Sequence, residues 1–142
     1  MKKIVAIDFD GVIHSYSSRW VDYDVIPDPP VPGAIDFLRN LIKSDKFTVC
    51  IFSSRNVPTV DAGRKRNMNY PLFCGQVAMA RYLVENGLEH EYENEIVYPM
   101  HKPPAHLTID DRAFCFIGEF PDIEFIERFM PWNSKDDAYE EK

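Results

Sequence analysis

Short apolar runs that stop abruptly at polar residues recur along this chain. Ile4-Val5-Ala6-Ile7 ends in Asp8, Phe47-Thr48-Val49-Cys50-Ile51-Phe52 ends in Ser53-Ser54-Arg55, and Leu107-Thr108-Ile109 ends in Asp110-Asp111-Arg112. Each is short and rich in β-branched or aromatic side chains, the pattern of strands covered on both faces. Glu95-Ile96-Val97-Tyr98 predicts a fourth strand. Between the runs the period changes. Ala34, Ile35, Phe37, Leu38, Leu41 and Ile42 share one broad face behind Pro32 and Gly33, which predicts an amphipathic helix with proline at its start. Gly75 to Asn86 carries Val77, Ala78, Leu83 and Val84, and Gly87 suits the position just past a helix end. Ile123, Phe125, Ile126, Phe129 and Met130 predict a last helix, stopped by Pro131. Strands alternating with helices imply an α/β fold: a three-layer sandwich around a central, mainly parallel sheet with right-handed crossovers.

Two segments depart from this scheme. Residues 14–31 hold aromatics and Pro27, Pro29 and Pro30, and read as a flap whose last part is stiff and extended. Residues 55–74 hold Pro58, Gly63, Arg64-Lys65-Arg66 and Pro71, a loop long enough to suggest a function. Residues 1–132 form one predicted domain, and 133–142 a charged, solvated tail. The length of 142 residues and 45% hydrophobic content suit a single core. A net charge of −7 argues against a surface that coats nucleic acid, though not against a local basic pocket. No apolar stretch reaches the roughly 18–20 residues that span a bilayer, and the amino terminus lacks a signal-peptide pattern, so the expectation is a cytoplasmic protein without a membrane partner. No obligate protein partner is evident. Cys50, Cys74 and Cys115 have no metal-site spacing and indicate no disulfide framework; Cys50 and Cys115 are expected to pack as small hydrophobes.

The polar run ends carry the chemistry. In an open parallel sheet, ligands sit at the carboxyl ends of the strands. Asp8 and Asp10 repel each other unless a cation lies between them, and with Asp110 and Asp111 they make an oxygen-only set suited to Mg²⁺. A carboxylate such as Asp8 can attack phosphorus. Asp10, beside a glycine that allows a sharp turn, can protonate a leaving oxygen and later take a proton from water. Ser53 can donate to a phosphoryl oxygen, and Lys102 can neutralise charge as one anion approaches another.

Asp8-Phe9-Asp10-Gly11, Ser53, Lys102 and Asp110-Asp111, in that order, resemble the four motifs of the haloacid dehalogenase-like superfamily of aspartate-nucleophile phosphohydrolases. The resemblance spans residues 4 to about 112. It implies a Rossmann-like α/β fold and Mg²⁺-dependent hydrolysis of a phosphomonoester through an aspartyl-phosphate. It further implies Asp8 as nucleophile, Asp10 as acid and base, and Ser53 and Lys102 on the phosphoryl group. The metal would be held by Asp8 and Asp110 with the Asp10 backbone carbonyl, while Asp111 ligates directly or through water, or orients Lys102. The stretch from Asp8 to Tyr16, with the later Pro27-Asp28-Pro29-Pro30-Val31-Pro32, is also similar to a small bacterial and phage-type subgroup.

In that superfamily, cap insertions largely set substrate choice. The flap here is too short for a helical cap, and the second insertion point holds a helix that the sheet itself requires, so the chain looks nearly capless. An open site suits extended phosphate esters, including nucleic-acid ends and phosphoproteins, without excluding nucleotides. His14, Tyr16, Trp20 and Tyr23 could stack on a base or sugar, or pack on the core. Arg64-Lys65-Arg66 could bind a second phosphate, or be a solvated loop. Arg55 and Arg112 could touch substrate, or pair with neighbouring acids. Two alternatives share the same residues: a phosphate- or nucleotide-binding module without turnover, and a phosphotransferase using the same phospho-aspartate. A signalling receiver domain fits poorly, because the middle strand ends in Ser53 rather than an aspartate.

Overall fold

The computed structural model describes residues 1–57 and 74–134. β1 (Lys3–Ile7) lies between β2 (Phe47–Ile51) and β3 (Leu107–Ile109), and both pairings are parallel. The register sets Val5 against Val49, and Ile7 against both Ile51 and Ile109. A central strand has no free edge, which is why Val5, Ala6 and Ile7 are buried in succession. The predicted strand 95–98 contributes a single parallel bridge. Val97 donates to the Val49 carbonyl at 3.0 Å, and Ile51 donates to the Val97 carbonyl at 2.9 Å. The amides of Glu95 and Ile96 go instead to Tyr92 and Glu93, and Pro99 has none to give, so the ladder cannot extend.

The helices that cover the sheet start and stop where their sequence allows. α1 (Ala34–Lys43) follows Gly33, whose φ of 88° turns the chain into the helix, and it buries Ala34, Leu38 and Ile42. α2 (Cys74–Glu85) ends at Gly87, φ 107°, where Leu88 donates to Leu83 and Gly87 to Val84, the paired bonds of a glycine-terminated helix. α3 (His90–Glu93) is a single turn. Arg39 on α1 ties this region together by donating to the Glu89 carboxylate at 2.9 Å and to the Gly87 carbonyl at 2.7 Å. Val5, Ile7, Phe9, Leu38, Val49, Ile51, Met79 and Leu83 form the shared core. The fold is thus α/β on a small parallel sheet, and no described helix is long and apolar enough to cross a membrane.

The carboxyl-terminal third departs from expectation. α4 (Ile123–Arg128) forms, capped by Asp122 accepting from the Phe125 amide at 2.7 Å, but it buries none of its residues. Ile123 is 82% exposed. Leu107 on β3 is also exposed, so this strand is not covered on both faces. Among the described residues the sheet ends at β3, with no further strand on which residues 113–130 could pack. Cys115 shares that exposure, against the expectation of a packed side chain, while Cys50 and Cys74 are buried; none of the three is in a disulfide.

α2 begins against the loop that follows β2. A Cβ on Gly75 would stand 2.1 Å from the Arg55 carbonyl oxygen. Gly75→Ala is therefore expected to cost about 1–3 kcal/mol through overpacking, measured as a lower midpoint in urea unfolding. An unchanged midpoint would mean that the helix can slide away from the loop.

Candidate active site

Because β1 and β3 are parallel neighbours, the chain leaves both at the same edge. The Asp8 amide donates to the Ile109 carbonyl at 2.9 Å, extending the pairing and setting Asp8 beside the acidic pair. Asp8, Asp110 and Asp111 each offer a carboxylate oxygen, and these oxygens lie within 4.8 Å of one another. The backbone aims two of them: Asp8 Oδ1 accepts from the Phe9 amide at 2.8 Å, and Asp110 Oδ1 from the Arg112 amide at 2.9 Å. Asp111 packs over Gly11, where a Cβ would stand 2.2 Å from its Oδ2. Gly11 also has a φ of 88°, so both space and backbone favour glycine there. Burial, and then the Asp110 charge, push the Asp8 carboxyl up to about 7. Asp111 is raised too, by burial first. Its Oδ1 is buried without a hydrogen-bond partner. Three acids facing one another, one with an unsatisfied oxygen, fit a hard divalent cation.

Asp10 belongs to a different arrangement. Its carboxylate receives Arg55 Nε at 3.0 Å on Oδ2 and Nη2 at 3.1 Å on Oδ1, and it lies 2.8 Å from His14 Nδ1. The Asp28 amide donates to His14 Nε2 at 3.1 Å, which leaves Nδ1 to carry the proton that points at Asp10. The Asp10 side chain is therefore outside the carboxylate triad; the resemblance implied only its backbone carbonyl as a metal ligand.

Arg55 is fully buried. Its Nη1 donates to the carbonyls of Asp22 and Tyr23, at 2.8 Å each, and its guanidinium carbon lies 4.8 Å from the centre of the Trp20 ring. It clamps the flap to Asp10 and presents no free face to a substrate. His14 is equally buried, its ring against Phe9, Tyr16 and Tyr82, rather than free to stack on a base. The flap is pinned further by Ser18, which donates twice to Asp28, and by the Tyr82 hydroxyl, which donates to the Asp28 carbonyl.

A cavity of about 250 Å³ opens over the acids, with Asp8, Asp10 and Asp111 on its wall. Tyr16, Arg19 and Trp20 line it from the flap; Ser54 and Arg112 line it from the strand ends. Ser53 sits behind this wall, buried, with its Oγ accepting from the Arg55 amide at 3.2 Å as the cap of a 3₁₀ turn, Ser54–Asn56. Lys102 is exposed and is not among the residues lining the cavity. Arg64 and Arg66 lie outside the described residues. Sequence assigned Asn133 to the solvated tail. Instead it lines the cavity and donates to the Ser15 carbonyl at 2.9 Å, beside Trp132, which donates to Gly11 at 2.8 Å. Arg19 and Ser54 are cavity residues to which sequence reasoning gave no role, Ser54 having been set aside in favour of Ser53, and Asn133 is a third. The first two lie in segments it had marked, but only the folded flap shows which of their polar groups face inward.

No protein-family model matches this sequence, and no curated protein or solved structure gives a match.

Proposed function

We propose that this protein is a Mg²⁺-dependent phosphomonoesterase of the haloacid dehalogenase-like kind, built as a nearly capless three-layer α/β sandwich. The observation that carries this reading is the convergence of Asp8, Asp110 and Asp111 at one sheet edge, beside an independently anchored Asp10. When bound, Mg²⁺ neutralises charge so that a phosphoryl anion can approach a carboxylate. Asp8 attacks phosphorus, the bond to the leaving oxygen breaks, and Asp10, which enters this step protonated, passes its proton to that oxygen. A water then attacks the aspartyl-phosphate, Asp10 takes its proton, and inorganic phosphate departs with Asp8 restored. Arg55 and His14 fix the direction in which the Asp10 carboxylate points, and the Ser54 hydroxyl, on the cavity wall, donates to the phosphoryl group. A nucleotide or nucleic-acid end suits the exposed mouth of the cavity.

The test is phosphate release from p-nitrophenyl phosphate and a panel of nucleotides, with Mg²⁺ and with EDTA. Release that needs Mg²⁺ and returns when it is restored is the expected result. That Lys102 is not among the residues lining the cavity favours a binding module as the second reading. Tight nucleotide binding with no phosphate released from any substrate would select it.

A further inference from the structure

Arginine usage around the cavity does not match what the acids there need. Arg39 and Arg55 each have carboxylate partners. Arg19 and Arg112, both on the cavity wall, form no salt bridge among the described residues. Most other described Lys and Arg side chains form no salt bridge either, so what sets these two apart is their position: both line the wall of a cavity that also holds Asp8, Asp10 and Asp111. Asp10 is already held by Arg55 and His14, and the triad suits a divalent cation, so neither is a ready partner for these guanidinium groups.

The backbone carries a second, independent sign. Tyr16 and Arg19 have φ of 62° and 64°, left-handed values that side chains other than glycine seldom adopt. Such strain persists only where surrounding contacts over-determine it, and it clusters at ligand-binding segments. Here the Arg19 amide donates to the Tyr16 carbonyl at 3.1 Å, and Ser18 between them is fixed by Asp28. The result sets the Arg19 guanidinium 6.0 Å from the centre of the Tyr16 ring, which orients the charge without neutralising it. A volume of about 250 Å³ is small against the roughly 300–1,000 Å³ that enclose a drug-sized ligand. It holds a phosphoryl group and what adjoins it, and leaves the rest of a substrate outside.

We propose that Arg19 and Arg112 form an anion subsite for a second charged group on the substrate, so that the preferred substrate is a phosphomonoester flanked by another phosphate. The subsite rests on the phosphomonoesterase reading for the position of the reacting group. The flanking phosphate can belong to a small bisphosphorylated metabolite or to the next phosphodiester of a nucleic-acid strand.

Four probes test this: thymidine 3′-phosphate, thymidine 5′-phosphate, thymidine 3′,5′-bisphosphate and a 3′-phosphorylated dithymidine strand. The bisphosphate should exceed both monophosphates in kcat/KM by about tenfold, the scale of one charge-assisted contact. In the Arg19→Gln/Arg112→Gln double variant that ratio should fall close to one. A strand turned over better than the bisphosphate identifies the nucleic-acid source; the reverse order identifies the small metabolite. Equal kcat/KM with and without the second phosphate, or a double variant that slows all four probes alike, overturns the subsite while leaving the phosphatase intact. Calorimetric binding of the same nucleotides supplies a readout that needs no turnover. Tighter binding of the bisphosphate that the double variant loses supports the subsite even if no phosphate is released. Equal binding sinks it.

Discussion

Asp8→Asn is expected to abolish phosphate release and, at the same time, to make the metal-free protein more stable. The first effect follows from losing the attacking carboxylate, and removal of a nucleophile typically costs on the order of 10⁴-fold or more. The second follows from the site's electrostatics. The ordinary value for an aspartate is 3.8, whereas burial and then the Asp110 charge push Asp8 up to about 7 in the fold. Between those values the folded protein holds a proton that the unfolded chain has released. Stability in EDTA must therefore fall as pH rises through that window. A neutral amide at position 8 removes this slope. The gain near pH 8 should be on the order of 2 kcal/mol, allowing for solvent screening and for the sharing of the effect with Asp111. For a domain of this size that is roughly 5 °C in melting temperature. Mg²⁺ should raise the melting temperature of the wild type, and much less that of the variant. Thermal melts at pH 5 and pH 8, with EDTA and with Mg²⁺, measure all of this. A variant that melts lower than the wild type in EDTA would show that the three acids do not repel one another as their spacing requires.

The acids of the triad are legible in the sequence for a simple reason. A central strand must be apolar along its whole buried length, so the first carboxylate after Ile7 marks the exposed end of β1, whereas Asp110 after Ile109 follows a short edge strand whose apolar run is only partly buried. Which neighbours that end acquires depends on strand order. The parallel, both-sides-covered pattern narrows the order without giving the partners. α4 shows the opposite case. Its apolar positions recur at helical spacing whether or not a surface exists to receive them, so periodicity predicted the helix but could not show that Ile123 and Ile126 lie exposed. Ser53 and Ser54 differ by one position, and only the 3₁₀ turn decides that the first caps it and the second lines the cavity. The fate of Arg55 was hidden for a related reason. A cation beside a strand end reads the same from sequence whether it faces solvent or is buried under a flap whose carbonyls lie more than thirty residues away.

Arg55→Met is expected to be the most destabilising substitution in this region, at about 3–5 kcal/mol, because it breaks a buried ion pair by removing one partner only. Asp10 would then lie largely buried with its charge supported by His14 alone, and the carbonyls of Asp22 and Tyr23 would lose the donor that holds the flap. The lost contact with Trp20 adds to this. Arg55→Lys should recover only part of the loss, since one ammonium cannot serve two carboxylate oxygens and two carbonyls in the same plane. Two observations separate this account from a general packing defect. First, residues 14–31 should become the first site of limited proteolysis, while the α1–α2 core remains protected. Second, Asp10→Asn combined with Arg55→Met should cost clearly less than the two single changes summed, because the second substitution removes a charge that the first has already orphaned. Additive costs would mean that Asp10 and Arg55 stabilise the fold separately. The flap would then owe its position to Asp28, Ser18 and Tyr82, and Arg55 would be free to serve the substrate.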